Sequence, residues 1–142
     1  MAPDGATTHF LFVYGTLMKG FREDWQKKLG ARLVGRGRIN GRLYDLGEYP
    51  GAKCSAADSG EYVKGELYEL GDPELAIKAL DRYEEFLPDR PRSSLFVRTA
   101  APVTLEDGRT ESAWVYIYNR PVDEKKLVPR GDYRDVITSR QG

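Results

Sequence analysis

The fold is decided near the start of the chain by the stretch Phe10-Leu-Phe-Val-Tyr-Gly-Thr-Leu-Met18. Its first half is apolar and rich in aromatic and β-branched residues, which is typical of a buried strand, and Gly15 ends it in a tight turn. Glycine lets the backbone approach a ligand closely. The amides after such a turn can converge on a carboxylate or an oxyanion. On these residues alone, a binding loop and a simple change of chain direction both stay open.

A second informative segment is an amphipathic helix, predicted over residues 73–84. Asp72 is a suitable N-cap, and Pro73 occupies the first helical position, where proline is tolerated. The apolar face of this helix consists of Ala76, Ile77, Ala79, Leu80 and Tyr83. Glu84 lies one residue beyond that face, and a partly desolvated carboxylate has a raised pKa that suits a base near neutral pH. The alternative, that Glu84 and Glu85 are two solvated charges at a helix end, stays open.

The remaining pattern is dominated by strands and predicts an α+β fold. Strands are expected at 9–14, 32–44, 53–57, 62–70, 95–105 and 110–118, and a short helix is expected within 22–29. Glu106-Asp-Gly-Arg109 joins the last two strands, and its Asp-Gly step is a strong hairpin signal. Since most strands are joined by hairpins and the helices are interleaved, the α+β class follows.

Length and charge limit the classes of function. The 142 residues suffice for one domain with its own core, expected to span 1–142 with flexible ends at 1–8 and 135–142. Lys and Arg total 22, as do Asp and Glu, so no general attraction to nucleic acid or to an anionic membrane is expected. A local basic patch is the remaining route to nucleic acid, and its candidates are Arg90, Arg92, Arg98, Arg130, Arg134 and Arg140. Scattered arginines more usually form a solvated surface, and that interpretation is favoured here.

The residue inventory also limits the chemistry. Cys54 and His9 are the only cysteine and the only histidine, too few for a usual zinc site, and no metal is expected. No phosphate-binding or dinucleotide-binding glycine motif is present, so no cofactor is expected either. The sequence contains no apolar stretch long enough to span a bilayer and no signal-peptide pattern at its start. Together with the single cysteine, these two observations predict a cytoplasmic protein.

Six short blocks follow one another along the chain: Tyr14-Gly-Thr-Leu17 after its strand, Gly41-Arg-Leu-Tyr-Asp-Leu-Gly-Glu-Tyr-Pro-Gly51, Val63-Lys-Gly-Glu-Leu-Tyr68, Leu80-Asp-Arg-Tyr-Glu84, Trp114-Val-Tyr116 and Pro129-Arg-Gly-Asp-Tyr133. Taken together, they resemble the γ-glutamylcyclotransferase-like family in its short bacterial branch. Each block is weak by itself. Their order and spacing, from Phe10 to Tyr133, make the resemblance specific.

The resemblance implies a small, mostly antiparallel, barrel-like sheet with packed helices, and an enzyme that cyclises a γ-glutamyl amine to 5-oxoproline with release of the free amine. It implies that Glu84 is the general acid and base of the reaction. The residues it implies for substrate binding are Tyr14, Gly15, Thr16, Leu17 and Tyr116. For Tyr116, a core role with a satisfied hydroxyl is the alternative. The implied partner is a small-molecule γ-glutamyl substrate, with no nucleic acid and no membrane, and the oligomeric state is left open.

Three residues depart from the family pattern. Glu85 replaces the usual glycine after the glutamate, Phe96 replaces a frequent tyrosine, and Tyr133 replaces a more usual tryptophan. None of these changes removes the implied base, so they bear on substrate identity more than on the chemistry. They also keep a second hypothesis open, a non-catalytic domain of the same fold that binds a small ligand.

Overall fold

The computed structural model describes residues 8–14, 30–47, 50–54, 60–83, 86–87 and 89–136. In chain order, its elements are β1 (Phe10–Val13), β2 (Arg32–Asp45), β3 (Pro50–Cys54), β4 (Tyr62–Glu69), α1 (Pro73–Tyr83), β5 (Phe96–Leu105), β6 (Thr110–Tyr118) and β7 (Leu127–Val128). Two 3-10 turns occupy Pro91–Ser93 and Glu124–Lys126. The helix expected within 22–29 lies outside the described residues.

Five of these strands close into a barrel. Their order is β2, β4, β1, β6 and β5, and β5 pairs back onto β2 at Gly37 opposite Leu105 and Arg38 opposite Thr104. β1 and β6 are parallel, whereas the other neighbouring pairs are antiparallel, so the sheet is mixed. The predicted α+β class with a barrel-like sheet is confirmed.

The core has two parts because side chains alternate across each strand. One set points into the barrel and includes Phe12, Leu67, Val103 and Val115. The other set points outward under α1 and includes Leu11, Tyr68, Leu80 and Tyr116. Tyr116 thus lies on the face of the barrel that α1 covers.

The helix begins as its sequence predicts. The carboxylate of Asp72 accepts a hydrogen bond from the Leu75 amide at 3.2 Å, and the Asp72 carbonyl accepts one from the Ala76 amide at 2.9 Å. Because these bonds satisfy amides that have no partner within the helix, the N-cap is confirmed. Ala76 and Leu80 are buried beneath the helix, which fixes its orientation on the barrel.

The third strand begins earlier than the predicted 53–57. β3 spans Pro50–Cys54 and pairs with the second half of β2. Pro50 and Gly51 resemble a turn in the sequence, but a Cβ at Gly51 would overlap side-chain atoms of Leu46 and Tyr118. Gly51 is therefore needed for close packing inside the fold. From the local sequence alone, such a glycine cannot be distinguished from one that forms a turn.

Gly65 is a position where β4 has no room for a side chain. A Cβ there would overlap the carbonyl oxygen of Val13 on the neighbouring strand β1. We therefore expect Gly65→Ala to reduce the free energy of unfolding by about 1–3 kcal/mol, the usual cost of overpacking. Urea denaturation measures this effect. Gly35→Ala is the matched control, because the nearest atom to its added Cβ lies at an ordinary 3.8 Å. Equal effects of the two substitutions would contradict the prediction.

The C-terminal segment packs against the barrel. Gly131 has φ +65°, and its carbonyl accepts a hydrogen bond from the Lys64 amide of β4 at 2.8 Å. Tyr133 is 2% exposed and belongs to the core inside the barrel. The backbone after Arg130 is thus fixed by both a hydrogen bond and a buried aromatic side chain.

This packing makes a prediction about proteolysis, because Leu127-Val-Pro-Arg-Gly131 resembles a thrombin cleavage site. Proteases need a locally open segment, so we expect the bond after Arg130 to resist thrombin in the folded protein. The mass of the protein after incubation measures this, and a synthetic peptide of residues 124–136 is the control for cleavability. Cleavage of the folded protein at the rate of the peptide would show that the segment is loosely held.

Candidate functional site

The structure describes part of the predicted site. Tyr14 and Tyr116 lie within the described residues, whereas residues 15–17 and Glu84 lie outside them. The segments that lead into these positions are described, however. β1 ends at Val13 and Tyr14 follows it, while α1 ends at Tyr83, directly before Glu84 in the sequence.

Tyr14 fastens the end of β1 to two other strands. Its buried hydroxyl donates a hydrogen bond to the Tyr116 carbonyl of β6 at 2.5 Å. The same hydroxyl accepts one from the Ala52 amide of β3 at 3.1 Å. Because both partners are backbone groups of the barrel, this tyrosine fixes the point from which the chain continues to Gly15. Its predicted contact with substrate remains a prediction.

Tyr116 directs its hydroxyl toward α1. The hydroxyl donates a hydrogen bond to Oδ1 of Asp81 at 2.6 Å. In this arrangement Tyr116 supports the helix, as expected of a core tyrosine whose hydroxyl has a partner. A direct contact of this hydroxyl with substrate stays a prediction.

Asp81 is the centre of a nearly buried polar cluster near the end of α1. Its two carboxylate oxygens accept hydrogen bonds from Arg98, Nε to Oδ1 at 2.8 Å and Nη2 to Oδ2 at 3.2 Å. The side chains of Asp81 and Arg98 are only 11% and 18% exposed. A bidentate pair with an additional tyrosine donor satisfies the carboxylate and has a defined geometry. We call Asp81, Arg98 and Tyr116 the helix-end cluster.

The helix-end cluster also fixes the chain beyond α1. The Phe86 amide donates a hydrogen bond to the Asp81 carbonyl at 2.8 Å. The guanidinium carbon of Arg98 lies 4.4 Å from the centre of the Trp114 ring and 5.5 Å from that of Phe86. Since cations attract aromatic faces at such distances, Arg98 holds Phe86 as well as Asp81. The chain is therefore anchored on both sides of Glu84.

A second buried carboxylate lies beside the end of β1. Glu66 of β4 is 3% exposed, and it stands opposite Val13, the last residue of β1. The Tyr68 hydroxyl donates a hydrogen bond to it at 2.9 Å. An acidic side chain is thus held at low exposure next to the point where the chain turns toward Gly15.

The sequence analysis did not assign Glu66 or Asp81 to the site, and it named Arg98 only as a candidate for a basic patch. A signal existed for Asp81, since residue 81 follows Leu80 on a helix whose apolar face packs on the barrel, and a carboxylate near such a face needs a partner. The partner was not identifiable, because Arg98 is 17 residues away in the sequence. Glu66 interrupts the pattern of a buried strand, which is a comparable but weaker signal.

The departures from the family pattern have structural roles. Phe96 is buried under α1 and contacts the edge of the Tyr118 ring, with the ring centres 5.5 Å apart. Tyr133 fills part of the barrel interior. Glu85 lies outside the described residues.

Several of the arginines proposed for a basic patch have acidic partners. Arg98 pairs with Asp81, Arg130 with Asp135 at 3.1 Å, and Arg134 with Asp132 at 2.6 Å. These pairs neutralise much of the local positive charge. Arg140 lies outside the described residues.

Within residues 8–14, 30–47, 50–54, 60–83, 86–87 and 89–136, no three His, Cys, Asp or Glu residues are grouped as metal ligands. In the same ranges, no helix is both long and apolar enough to cross a membrane.

Comparison with known proteins agrees with this architecture. The family model described as γ-glutamyl cyclotransferase, AIG2-like, matches residues 11–135. The chain belongs to this family. The matched range begins within β1 and extends beyond Tyr133, so it includes the barrel except for Phe10 and covers both ends of the candidate site.

Named relatives within the γ-glutamyl cyclotransferase family cover most of the chain. A γ-L-glutamyl-butirosin B γ-glutamyl cyclotransferase from Niallia circulans is 36% identical over 111 residues, which is 78% of this chain and 67% of that protein. The γ-glutamylcyclotransferase family protein YtfP from Escherichia coli K12 is 35% identical over 127 residues, which is 88% of this chain and 96% of the relative. The chain is accordingly a γ-glutamylcyclotransferase-like enzyme.

Solved structures show the same fold. The crystal structure of an AIG2-like protein from Mus musculus is similar with a TM-score of 0.63 and 27% identity, covering 88% of this chain and 87% of that chain. YkqA from Bacillus subtilis is similar with a TM-score of 0.65 and 24% identity, covering 94% of this chain and 43% of that chain. The second likeness concerns the fold alone.

Proposed function

We propose that this protein converts a γ-glutamyl amine into 5-oxoproline and the free amine, with Glu84 as general acid and base. In the reaction, the α-amino nitrogen of the substrate attacks its own γ-carbonyl carbon. A carbon–nitrogen bond closes the five-membered lactam, the original amide bond breaks, and the leaving nitrogen takes up a proton. No group on the enzyme becomes covalently attached, so the chain needs no nucleophile of its own.

The helix-end cluster is the observation that carries this proposal. Asp81 is bound by Arg98 and Tyr116 three residues before Glu84, and the Phe86 amide returns to the Asp81 carbonyl two residues after it. A general base must be held within hydrogen-bond reach of the proton it removes. Anchors on both sides of Glu84 support this assignment, because such a base needs a rigid surrounding.

We assign Glu84 two proton transfers. It takes a proton from the α-ammonium group of the substrate, which frees the nitrogen for attack, and it later returns a proton to the leaving amine. General acid–base catalysis of this kind contributes roughly 10²- to 10⁴-fold in rate. Folding the substrate so that amine and carbonyl meet is a separate contribution, up to roughly 7–11 kcal/mol in favourable intramolecular reactions.

We assign the turn after β1 to the anionic parts of the substrate. The amides of Gly15, Thr16 and Leu17 would hold its carboxylate or the oxyanion that forms during attack. Tyr14, fastened to β3 and β6, would form the wall beside this turn. Tyr116 would act through the helix-end cluster, with a direct substrate contact as the alternative.

We also propose a cytoplasmic location. Cys54 is the only cysteine of the sequence, so a disulfide within the chain cannot form, and the fold is compatible with a reducing compartment. Fractionation of the source cells with an antibody to the protein tests this location.

A panel of γ-glutamyl amines, with 5-oxoproline detected by mass, tests the proposed reaction. The panel contains leaving groups of different classes: a free amino acid, the side chain of lysine, an aminoglycoside-type amine and simple alkylamines. We expect stoichiometric release of 5-oxoproline and amine from at least one member. Thermal stabilisation by 5-oxoproline without turnover of any member would refute catalysis and favour a ligand-binding domain.

A further inference from the structure

A groove opens in the wall of the barrel where β2 and β5 separate. The two strands pair at Gly37 and Arg38 and then diverge, and β3 lies along the far side of the gap. The cavity between them measures about 480 Å³. Its described walls come from β2, β3, β5, β6 and the residue after β6. Ligand pockets usually have volumes of roughly 300–1,000 Å³, so the groove is large enough for a small-molecule ligand.

The groove lies close, along β3 and β6, to the backbone groups that bond Tyr14. Ala52, whose amide bonds the Tyr14 hydroxyl, lies two residues before Cys54 of the groove on the same strand. Tyr116, whose carbonyl accepts from that hydroxyl, directly precedes Ile117 of the groove. With a rise of about 3.3 Å per strand residue, the groove begins within about 7 Å of these contacts.

The described lining of the groove carries no charged side chain. Its polar members are Asn40, Thr99 and Asn119 together with the thiol of Cys54, and the remainder is aliphatic. The Asn119 amide donates to the Ser94 carbonyl at 2.9 Å, so part of its hydrogen-bonding capacity is already used. An ammonium group finds no acidic partner on these described walls, whereas an alkyl or hydroxyalkyl group packs against their aliphatic side chains.

We propose that this groove binds the leaving-amine side of the γ-glutamyl substrate and selects amines whose body is uncharged. This inference rests on the proposed function. The γ-glutamyl part would lie toward the turn after Tyr14, and the amine part would extend along β5 past Thr99. The preferred substrates are then γ-glutamyl alkylamides or hydroxyalkylamides, and amines with additional positive charges are disfavoured.

Two amides with the same six-carbon chain test the preference for a neutral body. γ-Glutamyl-n-hexylamide and the γ-glutamyl amide of 1,6-diaminohexane differ essentially in one terminal ammonium group. We expect kcat/KM to be at least about tenfold higher for the hexylamide, which is the discrimination an apolar pocket usually achieves. Equal values for the two amides, or a preference for the charged one, would overturn the inference.

Substitutions in the groove test its location. Thr99→Trp should fill the groove and lower kcat/KM for the hexylamide at least about tenfold more than for γ-glutamyl methylamide. Thr110→Trp is the control, since Thr110 is exposed at the start of β6 and does not line the groove. Equal losses on both amides in Thr99→Trp, or the same differential loss in Thr110→Trp, would overturn the location.

Asn40→Asp supplies a second variant, in case the tryptophan disturbs folding. The change is nearly isosteric and introduces a negative charge into the groove. We expect it to raise kcat/KM for the diaminohexane amide relative to the hexylamide by several-fold, because the terminal ammonium gains an acidic partner. A ratio equal to that of the unmodified protein would contradict the placement of the amine near Asn40.

Cys54 gives a readout that does not depend on turnover. It is the only cysteine in the sequence, its exposed side chain lines the groove, and partial desolvation raises the pKa of its thiol, so labelling is performed at about pH 9. In a Glu84→Gln background, saturating γ-glutamyl hexylamide should slow thiol labelling severalfold, and methylamide should slow it less. Equal labelling with both amides would overturn the inference, whereas protection without any turnover in the unmodified protein would refute only the proposed catalysis.

Discussion

Glu84→Gln is expected to lower kcat for 5-oxoproline formation by roughly 10²- to 10⁴-fold, while the fold is retained. Glutamine is nearly isosteric with glutamate, but its amide cannot accept the proton of the α-ammonium group. KM should change much less, because the contacts assigned to the substrate carboxylate lie at the turn after β1. Single-turnover measurements with mass detection of 5-oxoproline, beside a thermal unfolding curve, test this expectation.

Glu85→Gln is the matched control for this experiment. The same chemical change is made one residue away, about 100° further round if the helical path is continued. We expect this variant to retain most of the activity. If Glu85→Gln abolishes turnover and Glu84→Gln does not, the wrong carboxylate has been assigned. Unchanged turnover in a folded Glu84→Gln protein would remove the general base from the mechanism.

Local features of the sequence were sufficient to predict most individual elements. The Asp72–Pro73 start of α1 and the Asp-Gly turn between β5 and β6 depend on neighbouring residues only. In that turn, Gly108 has φ +94° and Asp107 accepts a hydrogen bond from the Arg109 amide, as the turn chemistry predicts. Such features are encoded within a few residues, so pattern analysis detects them.

Closure of the barrel could not be derived from these patterns. It depends on the pairing of β5 with β2 and on the parallel pairing of β1 with β6 at Leu11 opposite Trp114. Both pairings join segments that are distant in the sequence. The resemblance to a family implied a barrel, whereas alternation of apolar residues specifies only which face of a strand is buried.

The hydrogen bonds that fix the candidate site could not be predicted for the same reason. Asp81 and Tyr116 are 35 residues apart, and their hydrogen bond exists only because α1 packs across β6. Tyr14 was predicted to contact substrate, yet its hydroxyl bonds the backbone of two strands, 38 and 102 residues away. Sequence analysis identified side chains suited to the chemistry but not the interactions that fix them in place.

The second large effect is expected from Asp81→Asn, which removes the negative charge from the helix-end cluster. The buried guanidinium of Arg98 would lose its ionic partner, and breaking such a pair costs about 3 kcal/mol in the free energy of unfolding. Urea denaturation measures this loss. Glu69→Gln is the control, because its partner Arg32 has a side chain that is 69% exposed, and exposed pairs contribute little. We expect the unfolding midpoint of that variant to stay close to that of the unmodified protein.

A double-mutant cycle decides whether the charge pair is responsible. Arg98→Met keeps an unbranched chain between Trp114 and Phe86 but removes the guanidinium. Since the uncompensated charge is absent when both partners are changed, the double variant should lose less stability than the two single losses added together. Among variants that remain folded, kcat should fall while KM stays nearly constant, because Asp81 and Arg98 are proposed to position Glu84 and are assigned no contact with the substrate. Strictly additive losses of stability would contradict an energetic coupling between Asp81 and Arg98. Unchanged kcat in a folded Asp81→Asn protein would contradict the role of Asp81 in positioning the base.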